Sequence, residues 1–223
     1  MHTICEPSIL YFGTPVVLVG TTNEDGTYNL APISSVFWLG WRCMIGMGAS
    51  SKSVQNLIRT KECVLNLPSV NEVNAVNKLA KTTGTNPVSI AKQKRGYRYE
   101  PGKFEIAGLT PLPGQTVAAP RVKECPVQLE AVLTSVHTIG VEDAAIRGNI
   151  LTFELRMQRV HVLPSILMEG HAHRIDPDKW KPLIMSFQEF YGLGEKVHHS
   201  TLGEIPEVLY QTPDLLRARI NDL

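Results

Sequence analysis

The amino-acid sequence predicts a mainly β protein with short helices, of the α+β class, whose strands form a barrel. Three observations predict this class: many short segments rich in β-branched residues, one early amphipathic helix, and no alternation of strands with long helices such as a parallel sheet requires. A chain of 223 residues that is 43% hydrophobic and 19% charged can bury one substantial core.

The first strands are predicted to form a hairpin. Residues 16–22 read V-V-L-V-G-T-T, and residues 23–28, N-E-D-G-T-Y, contain the Asp-Gly pair typical of a hairpin turn. Further extended segments are predicted at 36–39, 43–47 and 63–67. The first third of the chain is therefore rich in strands.

Two helices are predicted between and after these strands. Residues 50–53, S-S-K-S, precede apolar residues at i, i+3 and i+4 from Val54 onward, which is typical of a capped amphipathic helix. A second helix is predicted at 72–83, before a glycine. Residues 86–120 hold five of the fifteen prolines and are expected to be a loop excursion rather than a second core.

Two long, half-buried strands follow the excursion. Apolar and polar residues alternate over 127–133 and again over 151–157. In the second strand the apolar phase then shifts to Val160 and Val162, which a regular strand cannot do without turning its core face outward. We therefore predict a β-bulge near Gln158 or Arg159.

Charge and cysteine content narrow the partners and the setting. With 22 basic and 21 acidic residues, the net charge of +1 creates no summed field that would attract nucleic acid or an anionic membrane. The four cysteines form no C-x-x-C pair and have no histidine at metal-ligand spacing, which favours reduced thiols. No basic leader with a long apolar run is present, and no stretch reaches the ~18 apolar residues of a membrane span. We expect a cytoplasmic protein.

The start of the first helix is a candidate phosphate site. Gly48 and Ala49 are followed by hydroxyls and a lysine where free backbone N–H groups and the positive end of the helix dipole can hold an anion. Ser51, Lys52 and Ser53 are the candidate ligands. The alternative is that Ser50 or Ser51 simply caps the helix.

A second candidate segment, residues 32–38, combines an extended backbone with two serines and two aromatic residues. Such a segment suits an edge-on polar grip on a flat heterocycle under an apolar cover. The alternative is an ordinary barrel strand in which Phe37 and Trp38 belong to the core.

Four blocks, in this order, resemble the flavin-reductase-like family of FMN-binding split-barrel proteins. They are N-L-A-P-I-S-S-V-F from Asn29, A-S-S-K-S-V-Q-N-L from Ala49, E-C-V-L-N-L-P from Glu62 and K-F-E-I-A-G-L-T from Lys103. The resemblance runs from about residue 14 to 162. We therefore expect a split-barrel domain over 1–165 and a C-terminal extension over 166–223 that packs on the barrel or on a dimer partner.

The resemblance implies a homodimer with one FMN per subunit at the subunit interface, together with the residues that hold it. Lys103 is similar to a family lysine that reaches the flavin. The matching positions that would line the isoalloxazine are Asn29, Ser34, Ser35, Val36 and Phe37, and those that would hold the ribityl phosphate are Gly48, Ser51, Ser53 and Asn56.

The resemblance implies an oxidoreductase that passes electrons from NAD(P)H through FMN to oxygen, a partner oxygenase or another electron-transfer protein. Members that use NADH commonly carry Gly-Asp-His before the last long strand, where this chain has Arg147-Gly148-Asn149. That departure leaves open a non-enzymatic FMN electron carrier that a partner protein reduces. A flavin-free dimeric binding module is the third hypothesis.

The histidines are not expected to be catalytic. His161 lies on a predicted strand, where a hydrogen-bonded core or surface histidine is the more common role. His171 and His173, with Asp176 and Asp178, have metal-ligand residue types, but their charged, proline-containing surroundings are more typical of a solvated loop. The aromatic residues of the tail are expected to anchor it by packing; they are Trp180, Phe187, Phe190 and Tyr191.

Overall fold

A computed structural model describes residues 1–220 of the chain, and its strands confirm the mainly β class with short helices. The strands are β1 (Phe12–Pro15), β2 (Val17–Thr22), β3 (Tyr28–Ile33), β4 (Val36–Leu39), β5 (Arg42–Gly48), β6 (Glu62–Leu67), β7 (Thr82–Thr83), β8 (Arg98–Tyr99), β9 (Pro111–Leu112), β10 (Arg121–Val122), β11 (Val127–Thr138), β12 (Ile150–Val162), β13 (Leu183–Ser186) and β14 (Glu189–Gly192). The α-helices are α1 (Lys52–Thr60), α2 (Val73–Leu79), α3 (Ile90–Lys94), α4 (Lys103–Ala107) and α5 (Pro213–Ile220). Short 3-10 turns lie at Val70–Glu72, Pro164–Ile166, Thr201–Glu204 and Glu207–Tyr210.

Seven of these strands form one antiparallel sheet in the order β3-β2-β6-β11-β12-β5-β4. The two edge strands, β3 and β4, are consecutive in the chain and are joined only by Ser34 and Ser35. The sheet must therefore curl until its two edges come within reach of a two-residue link. The result is a barrel that is open between β3 and β4.

The predicted hairpin and strands are present. β2 pairs with β3 from Val17 opposite Ile33 to Thr22 opposite Tyr28, so residues 23–27 form the turn. The predicted segments 36–39, 43–47 and 63–67 lie within β4, β5 and β6.

The predicted bulge is confirmed in β12. Glu130 lies opposite Arg159, and the next residue of β11, Ala131, lies opposite Met157, so Gln158 is the extra residue. This single insertion keeps the apolar residues on both sides of it facing the barrel interior. A second register shift near Leu133 has no counterpart in the sequence-based prediction.

The barrel interior is filled with side chains from alternating strand positions. Phe153 and Leu155 are fully buried there, and Val54 and Leu57 of α1 cover one end of the barrel. The strand residues that share this interior include Val17, Val19, Cys43, Ile45, Met47, Cys63, Leu65, Val127, Leu129, Ala131 and Met157. A barrel packed in this way has no room for a ligand at its centre.

The excursion at 86–120 differs from the prediction, because it contains α3 and α4 and contributes to buried clusters outside the barrel. Phe104, Ala107 and Leu109 pack with Leu18 and Leu30 on the outer face of the first hairpin. Strand β2 is consequently buried on both faces. Short elements of this kind depend on the surface that they cover and carry little periodic signal of their own.

The second predicted helix is shorter than expected. Helix α2 ends at Leu79, and Thr82 and Thr83 instead form β7, which pairs in parallel with β8. Both threonines are buried, and β-branched residues favour an extended, packed backbone over a further helical turn.

The C-terminal tail folds back on the barrel, as predicted for three of its four aromatic residues: Phe187 packs edge-on against Phe12, whereas Tyr191 is 55% exposed. Trp180 packs against the barrel interior and Phe190 against the outer cluster, and β13 pairs with β1. Farther along, Arg42 of β5 donates to Asp214 of α5 at 2.9 Å. The division of the chain at residue 165 stays a prediction.

Glu130 of β11 connects the excursion at 86–120 to the barrel through hydrogen bonds. Its fully buried carboxylate accepts the N–H groups of Gln115 (2.9 Å) and Thr116 (2.5 Å) and the Thr116 hydroxyl (2.6 Å), and it lies 2.7 Å from Nε2 of His161. Burial alone would raise the pKa of Glu130, but these hydrogen bonds outweigh it and lower the pKa to about 2. His161 is thus a hydrogen-bonded strand histidine, as expected.

We predict that Glu130→Gln lowers the free energy of unfolding at pH 7 by about 1–3 kcal/mol, because buried N–H groups lose a charged acceptor. The folded pKa lies below the ordinary value of 4.5, so ionised Glu130 stabilises the folded protein above pH 4.5. This contribution is lost as the pH falls toward 2, and the difference between variant and wild type should shrink over that interval. Urea unfolding at pH 7 and pH 3 measures it.

Glu142→Gln is the matched control, because Glu142 is exposed and has no ion pair among residues 1–220. It should leave the free energy of unfolding unchanged at both pH values. Equal stability of Glu130→Gln and wild type at pH 7 would contradict the role of Glu130.

Candidate functional site

The start of α1 is both capped and able to hold an anion. The Ser51 hydroxyl accepts the N–H of Val54 at 3.3 Å, so Ser51 is the cap, as in the alternative interpretation. The N–H groups of Lys52 and Ser53 belong to the first turn and have no intrahelical acceptor. One cap therefore leaves two donors for a ligand, and the two interpretations are compatible.

A directed chain of hydrogen bonds runs from the hairpin turn to Asn56 of α1. The Asp25 carboxylate, which can only accept, receives the Thr27 hydroxyl at 2.6 Å, and Thr27 accepts from the Asn23 amide at 2.9 Å. The Asn23 oxygen then accepts from Nδ2 of Asn56 at 2.8 Å. Asp25 thereby sets the orientation of every amide in the chain. The buried Oδ1 of Asn56 has no partner among the described residues.

The same chain continues to Ser53. Asn56 and Asn29 both donate to the hydroxyl oxygen of Thr21, at 3.1 and 3.2 Å, and Asn29 also donates to Oγ of Ser53 at 2.9 Å. Because Ser53 accepts this bond, its own hydroxyl proton can go to a second acceptor. Asn29, Ser53 and Asn56 are all buried, so the network holds them in fixed positions.

A cavity of about 410 Å³ opens beside this network. It is lined by the hairpin turn, by α1 and by the segments that flank α3; the lining residues include Glu24, Asn29, Lys52, Gly84, Thr85, Tyr99 and Glu100. Lys52 Nζ lies 2.5 Å from Oε2 of Glu24, so the lysine forms an ion pair with a carboxylate of the protein itself. A Cβ atom on Gly84 would lie 2.7 Å from Oδ1 of Asn29 and 3.1 Å from the Lys52 side chain, so only glycine allows this approach.

Lys103 begins α4, directly after the part of the chain that borders the cavity. Its side chain is buried, and no hydrogen bond or ion pair to its ammonium is present among residues 1–220. Burial, and to a smaller extent the nearby Lys92, lower the pKa of Lys103 to about 8, although Glu100 opposes the shift. A buried cation without a partner is expensive to maintain, which indicates that a ligand supplies the acceptor.

The predicted ring segment lies at the open edge of the barrel. Ser34 and Ser35 form the link between β3 and β4, and the Ser35 oxygen accepts the N–H of Gly46 at 2.9 Å. Val36 places its side chain in the barrel interior, whereas Phe37 is 54% exposed. Trp38 is half-buried against the interior, so the core alternative holds for Trp38 and not for Phe37.

Strand β5 connects the ring segment with the start of α1. Gly46 contacts the ring segment, and Gly48 ends the strand three residues before the Ser51 cap. The N–H of Ala49 donates to the oxygen of Asn149 at 3.0 Å, which brings residues 147–149 beside the start of α1. The segment that replaces Gly-Asp-His is thus part of the same neighbourhood.

The structure joins Asn29 directly to Ser53 and, through Thr21, to Asn56, and it pairs Lys52 with Glu24, but the hairpin residues of this network are not predicted from sequence. These are Thr21, Asn23, Glu24, Asp25 and Thr27. The signal that could have found them is the hairpin register, in which Thr21 lies opposite Asn29. The sequence predicts Gly84 only as the end of a helix and not as part of the cavity.

The C-terminal histidines do not converge on a metal site in the described part of the chain. No group of three or more His, Cys, Asp or Glu among residues 1–220 is arranged to hold an ion. Likewise, none of the helices in that range is long and apolar enough to cross a membrane.

The fold has many counterparts of known structure. The flavoredoxin of Desulfovibrio vulgaris (Miyazaki F) superposes with a TM-score of 0.72 and 22% identity, covering 92% of this chain and 100% of its own. Component B of nitrilotriacetate monooxygenase from Bacillus cereus superposes with a TM-score of 0.67 and 22% identity, covering 86% of this chain and 89% of its own. A protein with a split barrel domain from Shewanella frigidimarina NCIMB 400 superposes with a TM-score of 0.63 and 18% identity, covering 84% of this chain and 85% of its own. The architecture is therefore the split barrel.

Sequence comparison assigns the family. An uncharacterised Bacillus subtilis (strain 168) protein, YdfE, is 37% identical over 192 residues, which is 86% of this chain and 89% of YdfE. The model of the flavin reductase like domain matches residues 9–187, which includes every candidate site residue. The chain therefore belongs to the flavin reductase like domain family, whose members bind flavin.

Proposed function

We propose that this protein binds FMN at the open edge of the barrel and is a flavin-reductase-type oxidoreductase that takes electrons from NAD(P)H. The observation that carries the proposal is the hydrogen-bonded network that joins Asn29 to Ser53 and Asn56 beside an anion-binding helix start. The family and the arrangement of the site support it independently of each other.

The start of α1 is proposed to hold the ribityl phosphate. The N–H groups of Lys52 and Ser53, the Ser53 hydroxyl and the Lys52 ammonium are the donors. Lys52 would exchange Glu24 for the phosphate, because solvent screens its ion pair with the exposed Glu24, whereas a charge-assisted bond to a dianion is stronger. FMN rather than FAD is proposed because the four sequence blocks resemble those of FMN-binding split-barrel proteins.

The isoalloxazine is proposed to lie along residues 34–37. The exposed Phe37 ring and the Ser34 and Ser35 backbone offer apolar and polar contacts to one edge of a flat ring, while Val36 contributes only its backbone. An open barrel edge leaves the other face uncovered, which supports a homodimer in which the partner subunit covers the flavin. The cytoplasmic setting stays a prediction.

Bound FMN would supply the hydride acceptance and electron transfer, so the protein needs no nucleophile of its own. The residues of the chain bind and orient the flavin, and Lys103 holds a positive charge close to it. A cation there favours negative charge on a neighbouring group. The electron acceptor would be oxygen, a partner oxygenase or another protein; component B of nitrilotriacetate monooxygenase has the same fold.

A second candidate function is a non-enzymatic FMN electron carrier. Residues 147–149 lie beside Ala49, at the edge of the proposed site, and they lack the Gly-Asp-His of the NADH-using members. This observation favours a carrier that another protein reduces.

The deciding experiment is anaerobic reduction of the FMN-loaded protein by NADH and, separately, by NADPH. We expect at least one nicotinamide to bleach the visible flavin absorbance. Bleaching by dithionite but by neither nicotinamide would exclude the enzyme and leave the carrier. A protein that binds neither FMN nor FAD would leave the flavin-free binding module.

We predict that Ser51→Asp weakens FMN binding by at least about 10-fold, measured by quenching of flavin fluorescence. Aspartate also caps helices, so α1 should stay folded, but its carboxylate repels the phosphate. The control is Ser200→Asp, which changes the exposed cap of the Thr201–Glu204 turn. Equal FMN affinity in both variants would show that the phosphate lies elsewhere.

We predict that Lys103→Met weakens FMN binding by about 10-fold at pH 7, the size expected for a lost charged hydrogen bond. Because the pKa of Lys103 in the free protein is about 8, wild-type affinity should fall as the pH rises through 8 to 9. The affinity of Lys103→Met should stay constant over that range, and the exposed control Lys123→Met should behave like wild type. A parallel fall in Lys103→Met would refute the contact.

A further inference from the structure

The positive charge of the protein is concentrated in one segment. Residues 73–99 contain six lysines and arginines and no aspartate or glutamate, whereas the whole chain is nearly neutral, so the rest is net acidic. Overall composition hides this asymmetry, and it gives the surface around α2, α3 and β8 a field that attracts anions.

A cavity of about 410 Å³ lies within this basic surface and is separate from the cavity of the proposed flavin site. Its lining consists of Asn77, Lys78, Ala80, Lys81, Arg98 and Ile106. The volume falls within the range of about 300–1,000 Å³ that is typical of small-molecule sites. Three exposed cationic side chains therefore border an open surface cavity of ligand size.

The backbone holds these cations close together. The N–H of Arg98 donates to the oxygen of Lys81 at 3.0 Å. Lys78 lies in the last turn of α2, three residues before Lys81. The Lys81 side chain passes over Gly96, where Nζ lies 4.0 Å from the position of an added Cβ. The side chains start from fixed points around one cavity.

No ion pair neutralises them. None of the six cations in 73–99 lies within 4 Å of a carboxylate among residues 1–220, whereas elsewhere Arg42, Lys52 and Arg121 each do. Like charges around one cavity repel each other, and an anion that enters relieves this repulsion. The site is built for negative charge that the protein does not itself provide.

We infer that this cavity binds the phosphomonoester group of a small ligand. A phosphomonoester carries between one and two negative charges at pH 7 and three acceptor oxygens, which matches three cationic side chains at one cavity better than a carboxylate does. The Arg98 guanidinium can bind it in a bidentate manner, and Asn77 adds an amide donor. Ala80 and Ile106 offer an apolar wall for the rest of the ligand.

The position of the cavity suggests two sources of this group: free phosphate or the 2′-phosphate of NADPH. Arg98 borders the basic cavity and Glu100 the proposed flavin cavity, and two residues of extended chain span only about 7 Å. A dinucleotide is long enough to reach from one to the other. The NADPH source rests on the proposed function, whereas phosphate binding does not.

The test is calorimetric titration of the full-length protein at low ionic strength with NADP+, NAD+ and inorganic phosphate. NADP+ and NAD+ differ only in the phosphomonoester, and neither can reduce flavin, so binding is measured without the redox reaction. We expect NADP+ to bind about 10-fold more tightly than NAD+, and Lys81→Ala or Arg98→Ala to abolish that preference. Lys94→Ala is the control, because Lys94 belongs to the same basic segment but does not line the cavity; the preference should persist.

Phosphate binding that Lys81→Ala and Arg98→Ala abolish, with equal affinity for NADP+ and NAD+, would support the site with free phosphate as its source. If neither probe depends on Lys81 or Arg98, or if Lys94→Ala has the same effect as they do, the inference is wrong. Retained thermal unfolding of the variants shows that they fold. Anaerobic flavin reduction tests the proposed function separately, so either hypothesis can fail alone.

Discussion

The two-residue link between β3 and β4 is the constraint on which the rest of the structure depends. It requires the two edges of a seven-stranded sheet to meet, and all the other strands lie in the path between them. The interior that results is filled by side chains such as Phe153 and Leu155, so a ligand can bind only outside or at the seam. Ser34 and Ser35 are at the seam because they are the link.

The same constraint places the start of α1 near the seam. Strand β5 pairs with the edge strand β4, and the chain leaves β5 directly into α1. An anion-binding helix start and a polar backbone edge therefore meet without any long loop. Asp25 contributes to the precision of the site, because its carboxylate orients the amides of Asn23 and Asn56, and Asn56 is joined through Thr21 to Asn29 and Ser53.

Local patterns predicted much of the fold. The Asp-Gly turn, the serine cap of α1 and the phase shift in β12 are each encoded within a few neighbouring residues, and the structure has all three. The end of α2 and the helices of the excursion were predicted less well, because pairing and burial by distant segments decide them.

The candidate site was predictable to a similar extent. The serine- and glycine-rich segment predicts an anion-binding helix start, and the family resemblance implies Asn29 and Asn56. The roles of Thr21, Glu24 and Asp25 arise only when the hairpin packs on α1. The burial of Lys103 and the clustering of Lys81 with Arg98 likewise depend on tertiary structure, since neither residue is unusual in its local sequence.

Because Lys52 pairs with Glu24, the proposed site carries its own counter-ion for the lysine. While no phosphate is bound, Glu24 neutralises the lysine at the border of the cavity. When a phosphate takes its place, the exposed Glu24 loses its counter-ion beside Asp25, and the tip of the hairpin becomes more acidic. Occupancy of the proposed site would thus change the charge on the outer surface, where another protein could distinguish the loaded from the empty form.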